Sequence, residues 1–344
     1  MRISVDLFGG PGDELLGVRI AGLPAGLPVE PGALRAALSR RVRCTRALLP
    51  GEQISEPVCR IAAGAPEGET TGAPVVFLYG SVERREPGVL RPSTGDLGAF
   101  LRGDRFESRM GELDRLCGLT LAGELAREAA LAEGVTVLGH LLSAGGVEER
   151  SFERQRPTPE ELEALSSREP AVFLPETAEA MGRAVRAALE RGDTVGGMLE
   201  LVALGLPGGL GSDARTVQAE AARALFELPY VAGVSFGRGE ALASEPGHRA
   251  VDRLHPAGGR IRSEGGGFGG LCGPFTSGEP LVVRVTVAPS PLLRGVQESV
   301  DVRTMDRAEL RAAEAHFSPA EVQAAAEGAL ARVVYGLICE FRRG

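Results

Sequence analysis

Hydrophobic positions along this chain switch repeatedly between a period of two and a period near 3.6, dividing it into short strands and amphipathic helices. Alternation predicts strands over Val18–Ala21, Pro74–Tyr79, Val135–Leu138, Leu199–Leu204 and Leu281–Val287, with a further short one at Met1–Asp6. Helical spacing joins Leu34, Leu38 and Val42, and again Val217, Ala221, Leu225 and Leu228. An alanine- and leucine-rich helix is predicted from about Leu116 to Glu133, stopped by Gly134, and another from Glu176 to Arg191, closed by Gly192. Two segments read as capping boxes, Thr158-Pro159-Glu160-Glu161 and Ser318-Pro319-Ala320-Glu321, the second opening a last helix that runs toward Phe341. Residues 81–115 are polar, rich in arginine and without clear period, so they read as surface or site-forming loops.

One segment is used twice. Gly22-Leu23-Pro24-Ala25-Gly26-Leu27 returns as Gly205-Leu206-Pro207-Gly208-Gly209-Leu210, each copy lying between a strand pattern and a helix pattern. Two related halves, about 1–140 and 175–344, therefore pack as a single domain spanning 1–344. A charged excursion separates them at about 145–170. Mixed strands and helices with distant repeats predict an α+β sandwich rather than a doubly wound sheet.

Composition narrows the chemistry. All 38 basic residues are arginine, and lysine is absent, which excludes a Schiff base, a pyridoxal-phosphate anchor and a lysine-bearing phosphate loop. Arginine can still clamp phosphate or carboxylate in bidentate fashion. A net charge of -8 argues against nucleic acid or an anionic membrane as partner. The five cysteines are scattered, with no zinc or redox spacing, and read as thiols in a reducing cytoplasm; no metal is expected. No apolar run reaches the ~18 residues of a membrane helix, and the start does not read as a signal peptide.

The segment Gly64-Ala65-Pro66-Glu67-Gly68-Glu69-Thr70-Thr71-Gly72-Ala73-Pro74 resembles the G-x-x-x-G-x-T-T-G-x-P stretch of chorismate synthases. Further landmarks of that family follow in order: Pro24 to Pro28, Arg40-Arg41, Arg91-Pro92 with Asp96, Gly192 to Gly196, Gly205 to Gly211, Gly269-Gly270 and Ser277 to Pro280. The resemblance implies a β-α-β sandwich built from two related halves, usually a homotetramer. It also implies elimination of phosphate from 5-enolpyruvylshikimate 3-phosphate to give chorismate, with reduced FMN, two proton-donating histidines, an aspartate, and arginines on the anionic groups.

The family's reactive positions are filled differently. Gly12 and Thr94 stand where the two histidines belong, and neither titrates near neutral pH. Glu309 follows Arg307 in place of an aspartate, and with Asp96 is the acid that the resemblance leaves for catalysis. Arg41, Arg46, Arg91 and Arg307 are the candidates for holding substrate anions; Gly269, Gly270 and Ser290 are those for a cofactor. In register with the flavin contacts lie Arg109 to Asp114 and Ala288 to Pro291, where carboxylates and lost basic charge argue against FMN in the family's manner. His140, His248, His255 and His316 match no family motif and are expected on the surface or at strand ends, with His316 near Arg307 and Glu309 the one of interest. Asp13 and Glu14 read as turn carboxylates or as a replacement acid pair. Three readings follow: an unusual working enzyme, a non-catalytic paralogue that binds a small anionic metabolite or joins an intact enzyme in a mixed oligomer, and a new lyase or transferase on a related acid.

Overall fold

The structure, a computed structural model, describes residues 2–10, 13, 15–83, 86–152, 159–264 and 267–342. In the first half, β1 (Ser4–Phe8), β2 (Leu16–Ala21), β3 (Ala25–Pro28), α1 (Pro31–Leu48), β4 (Cys59–Ala63), β5 (Glu69–Thr71), β6 (Val75–Tyr79), α2 (Asp96–Leu101) and α3 (Glu112–Ala132) follow one another. The excursion begins after β7 (Thr136–Ala144), with β8 (Val147–Glu148), α4 (Pro159–Ser166) and α5 (Pro175–Glu190). Then come β9 (Gly197–Leu204), α6 (Val217–Phe226), β10 (Val231–Phe236), α7 (Gly247–Ala250) and the hairpin β11 (Arg253–Ala257) to β12 (Arg260–Glu264). The chain ends with β13 (Leu271–Cys272), β14 (Phe275–Thr276), β15 (Leu281–Val287), the hairpin β16 (Gln297–Asp301) to β17 (Asp306–Leu310), and α8 (Ser318–Phe341).

Two antiparallel sheets enclose a layer of helices. The first runs β1-β2-β6-β4 and the second β10-β15-β9-β7-β8, so β7-β9-β15-β10 repeats the order of the first sheet. The α+β sandwich of two related halves is thus what the chain forms. The inward faces explain it: Leu16, Val18 and Ile20 alternate on β2, and Leu199, Leu201 and Ala203 on β9, all buried against α3 and α8. The duplication extends to single hydrogen bonds. Thr70 Oγ1 accepts from Leu27 N (3.0 Å) and donates to Pro24 O; Thr276 Oγ1 accepts from Leu210 N (3.0 Å) and donates to Pro207 O (2.7 Å). At the centre, Gly123 of α3 and Gly328 of α8 let the two helix backbones touch.

The charged excursion is more than a loop. Phe152, Leu165 and Phe173 form a small second core with Leu138, Val202 and Val282 on the outer face of the second sheet. Beneath it His140 and Glu200 are fully buried, Nε2 to Oε2 3.1 Å, and Arg284 Nε donates to the other carboxylate oxygen at 3.0 Å. The expectation of a surface or strand-end position for His140 is corrected accordingly. Thr158, read as a cap, lies outside the described residues.

Two further expectations change at α8. This helix is long and apolar enough to cross a membrane, contrary to the sequence reading, but 78% of its apolar window is buried inside the fold. It packs against α1, α3, α6 and the three inner strands of the second sheet, β7, β9 and β15, so its hydrophobicity belongs to the core. Nor is its start a capping box. Ser318 lies within the first turn and donates to Ala288 O (2.6 Å), while Glu321 turns to His316.

Candidate functional site

The segment between β6 and α3 is anchored by Asp114 in the first turn of α3. Its buried carboxylate accepts from Val82 N (2.8 Å) and Ser81 Oγ (2.7 Å), which holds the chain after β6 against the helix start. Arg91 is thereby carried into a nest of carboxylates: it ion-pairs with Glu83, with Asp96 at 3.2 Å and with Glu112 at 2.9 Å. Arg109 closes the group, 2.7 Å from Glu112 and 4.0 Å from Asp96. Burial alone would lower the Arg91 pKa, but its three acids more than reverse this and raise it. Burial, reinforced by the charges of Glu112 and Asp114, pushes Glu83 up despite Arg91. Burial works the same way on Glu112, yet the hydrogen bond and charge of Arg109, with Arg91 and the Gly95 N–H, hold its carboxyl below the ordinary value.

Beside this network opens a cavity of about 1040 Å³ between the end of α1, residues 82–83 and 86–91, and the residues that lead from β17 into α8. Arg46, Glu83, Glu86, Arg91, Arg311, Glu314 and His316 give its walls their charge. Arg46 is paired loosely with Glu56 (3.3 Å), Glu314 is tied to Ser55, and no carboxylate pairs with Arg311 among the described residues. His316 is buried, correcting the expected surface position, and its Nδ1 lies 2.9 Å from Glu321 Oε1. Three buried polar atoms make no hydrogen bond to a described residue: Glu83 Oε2 at the cavity wall, and Arg41 Nε and Glu321 Oε2 beside the small void behind it.

The other sequence candidates divide between this site and the scaffold. Arg46 and Arg91 line the cavity. Arg41 lies behind it, donating to Ser55 O and bordering a small void with Cys117 and Glu321. Asp96 and Thr94 sit behind Arg91: Thr94 Oγ1 donates to Arg91 O (2.9 Å) and accepts from Asp96 N (3.3 Å). Arg307 and Glu309 do not reach the cavity; both are exposed on β17, opposite Val300 and Glu298. Gly269 and Gly270 have φ of +63° and +81° and stand where a side chain would strike Val282 O and the Pro280 carbonyl carbon, each at 2.7 Å. Their requirement is the close approach of backbones. Ser290 is buried, its carbonyl accepting from Thr194 Oγ1 (2.7 Å) and its hydroxyl from Leu292 N (3.3 Å). Asp13 caps its own turn through Gly10 N (2.8 Å), while Gly12 and Glu14 lie outside the described residues.

Sequence reasoning missed the cavity residues Glu83 and Arg311, and Glu321 behind His316. The available signal for Glu321 was an acid five residues after a histidine at a helix start. The capping motif absorbed it.

Comparison with known proteins agrees with the layered architecture. The family model for chorismate synthase matches residues 3–335. The chain is 33% identical over 330 residues to a chorismate synthase of Thermococcus kodakarensis, covering 90% of this chain and 87% of that one. It is 32% identical over 325 residues to the chorismate synthase of Pyrobaculum aerophilum, covering 90% and 86%. A solved crystal structure of a chorismate synthase superimposes with a TM-score of 0.77 over 99% of this chain and 93% of that one, at 21% identity. With a match that spans nearly all of its strands and helices, the chain belongs to the chorismate synthase family.

Proposed function

We propose that this protein binds a small, multiply anionic metabolite of the shikimate-acid class in the 1040 Å³ cavity, and that it has left the family's flavin-dependent phosphate elimination. Thr94 carries the reading. Where the family has its second proton donor, the hydroxyl is spent within its own turn on Arg91 O and Asp96 N, and a threonine offers no proton near neutral pH.

The groups in register with the flavin contacts do not fit FMN in the family's manner. Arg109 is bound to Glu112, and the two carboxylates of that stretch, Glu112 and Asp114, are buried and engaged within the chain. They would repel a phosphate rather than hold one. In the second stretch Ala288 donates to Tyr230 O, and Ser290 is buried in contacts of its own. Support for an anionic ligand comes instead from Arg46 and Arg311. Both residues line the cavity, and bidentate contact to carboxylate or phosphate is what a guanidinium does best.

The test is an anaerobic assay of the purified protein with reduced FMN and 5-enolpyruvylshikimate 3-phosphate, beside an active chorismate synthase, together with calorimetric binding of the same compound. The expected outcome is measurable binding with no chorismate above the protein-free control. Turnover would overturn the loss of the family reaction, and absence of binding would overturn the choice of ligand.

A further inference from the structure

Of the four histidines, only His316 borders the large cavity among the described lining residues. The ring is gripped from one side alone. Nδ1 lies 2.9 Å from Glu321 Oε1, Glu321 is itself buried, and Nε2 makes no hydrogen bond to a described residue. A carboxylate behind one ring nitrogen fixes the tautomer, keeps the proton on Nδ1 and leaves Nε2 to exchange a proton with whatever occupies the cavity. The backing is a deliberate arrangement of the chain. Glu321 leaves the helix start that its motif would have it cap, and Ser318 satisfies its own hydroxyl on Ala288 O.

We infer that the His316–Glu321 pair is the proton-carrying group of this cavity, standing in for the imidazoles replaced by Gly12 and Thr94. The inference rests on the anionic ligand proposed above. His316 would touch that ligand through Nε2, and Glu321 is a positioning residue. The transfer is a simple one: a proton on Nε2 of the imidazolium passes to an oxygen of the bound acid, the ring becomes neutral, and Nδ1–H stays on Glu321. In reverse, an anion entering the site draws a proton onto Nε2, and the imidazolium is held between the ligand and Glu321. The groups that share this field are Arg46 from α1, Glu83, Glu86 and Arg91 from the segment before α2, and Arg311 and Glu314 from the approach to α8. Arg41 lies behind, its Nε unpaired near Glu321 Oε2.

The experiment is calorimetric titration of the full chain with 5-enolpyruvylshikimate 3-phosphate, repeated in buffers of different ionisation enthalpy to count protons taken up on binding. Wild-type protein is expected to take up protons on binding, and H316Q is expected to bind the compound with that uptake lost. E321Q is expected to retain binding with a reduced uptake. Binding with the same proton count in H316Q would overturn the dyad while leaving the ligand reading intact. No binding by the wild type would overturn the ligand reading and the dyad with it. Should H316Q fail to fold, wild-type protein carrying 15N-labelled histidine gives the same decision, with H248Q and H255Q assigning the other accessible rings. One remaining imidazole must show the Nδ1–H tautomer when free and the imidazolium signature when the compound is added. A ring that keeps its free signature overturns the proposal.

Discussion

Where α3 crosses α8, a methyl group added to either of two glycines would have nowhere to go. A Cβ on Gly328 overlaps the Cα of Gly123 and lies 2.8 Å from its carbonyl carbon; a Cβ on Gly123 lies 2.8 Å from the Cα of Gly328. The neighbours are backbone atoms in the middle of two long helices, so no side chain can swing aside. Separating the helices would loosen the packing of α8 on α3, which joins the two halves. Overpacking of this kind costs about 1–3 kcal/mol or more, against a gain of up to about 1 kcal/mol in helix propensity for Gly→Ala. The net expectation for G328A is a loss of about 2 kcal/mol, roughly 30-fold in the folding equilibrium. Gly336 supplies the control on the same helix. Its Cβ would meet only the Cγ of Arg2, at 3.9 Å, so G336A keeps the propensity gain and raises stability by about 0.5–1 kcal/mol. Guanidinium unfolding of wild type, G328A and G336A measures both shifts. Equal midpoints for the two variants, or a G328A protein as stable as wild type, would refute the backbone contact.

The twin threonines should respond alike. T70V and T276V each strip a buried hydroxyl that serves one N–H and one carbonyl, and each is expected to cost about 1–3 kcal/mol in denaturant unfolding. A large loss at one position and none at the other would contradict the duplicated geometry. A pH series addresses Glu200. Burial alone would raise its pKa, but the hydrogen bond and charge of His140, the Phe152 N–H and Arg284 together lower it. A carboxyl depressed in the folded state stabilises fully above its unfolded value near 4.3 and loses that contribution as pH falls through the folded value. E200Q is therefore expected to be less stable than wild type at pH 7, by about 3 kcal/mol, with the gap closing below about pH 4. A gap that widens on acidification would reverse the sign of the argument.

Much of the fold could be read from periodicity because the inward faces of β2 and β9 alternate cleanly, and because the Gly-Leu-Pro turns recur with their strands and helices. Boundaries were less legible where polar residues take part in structure. α3 starts at Glu112 rather than near Leu116, since Glu112 and Asp114, charged and loop-like in sequence, are buried by Arg91, Arg109, Ser81 and Val82. The same effect limited the reading of the site. Arg91 stands in family register and Arg46 lies close to a matched arginine pair, and both line the cavity; Arg307, in register too, lies on an exposed hairpin outside it. His316 and Glu321 become a pair only when the chain turns into α8. A local motif with an equally good local meaning, the capping box, concealed a contact made for the cavity.

The central place of α8 has a consequence for how the protein is made. This helix follows every other described element in the chain, yet α1, α3, α6, β7 and β9 all pack against it. A ribosome adds ~5–20 residues per second, so α3 waits roughly 10–40 s between its own synthesis and the arrival of its main partner. Over that interval the faces of α1 and α3 that α8 will cover stay open, and the half-made protein is a client for whatever cellular factors shield exposed hydrophobic surface. Duplication did not give this fold two halves that mature one after the other; it gave one core that the chain completes at its far end.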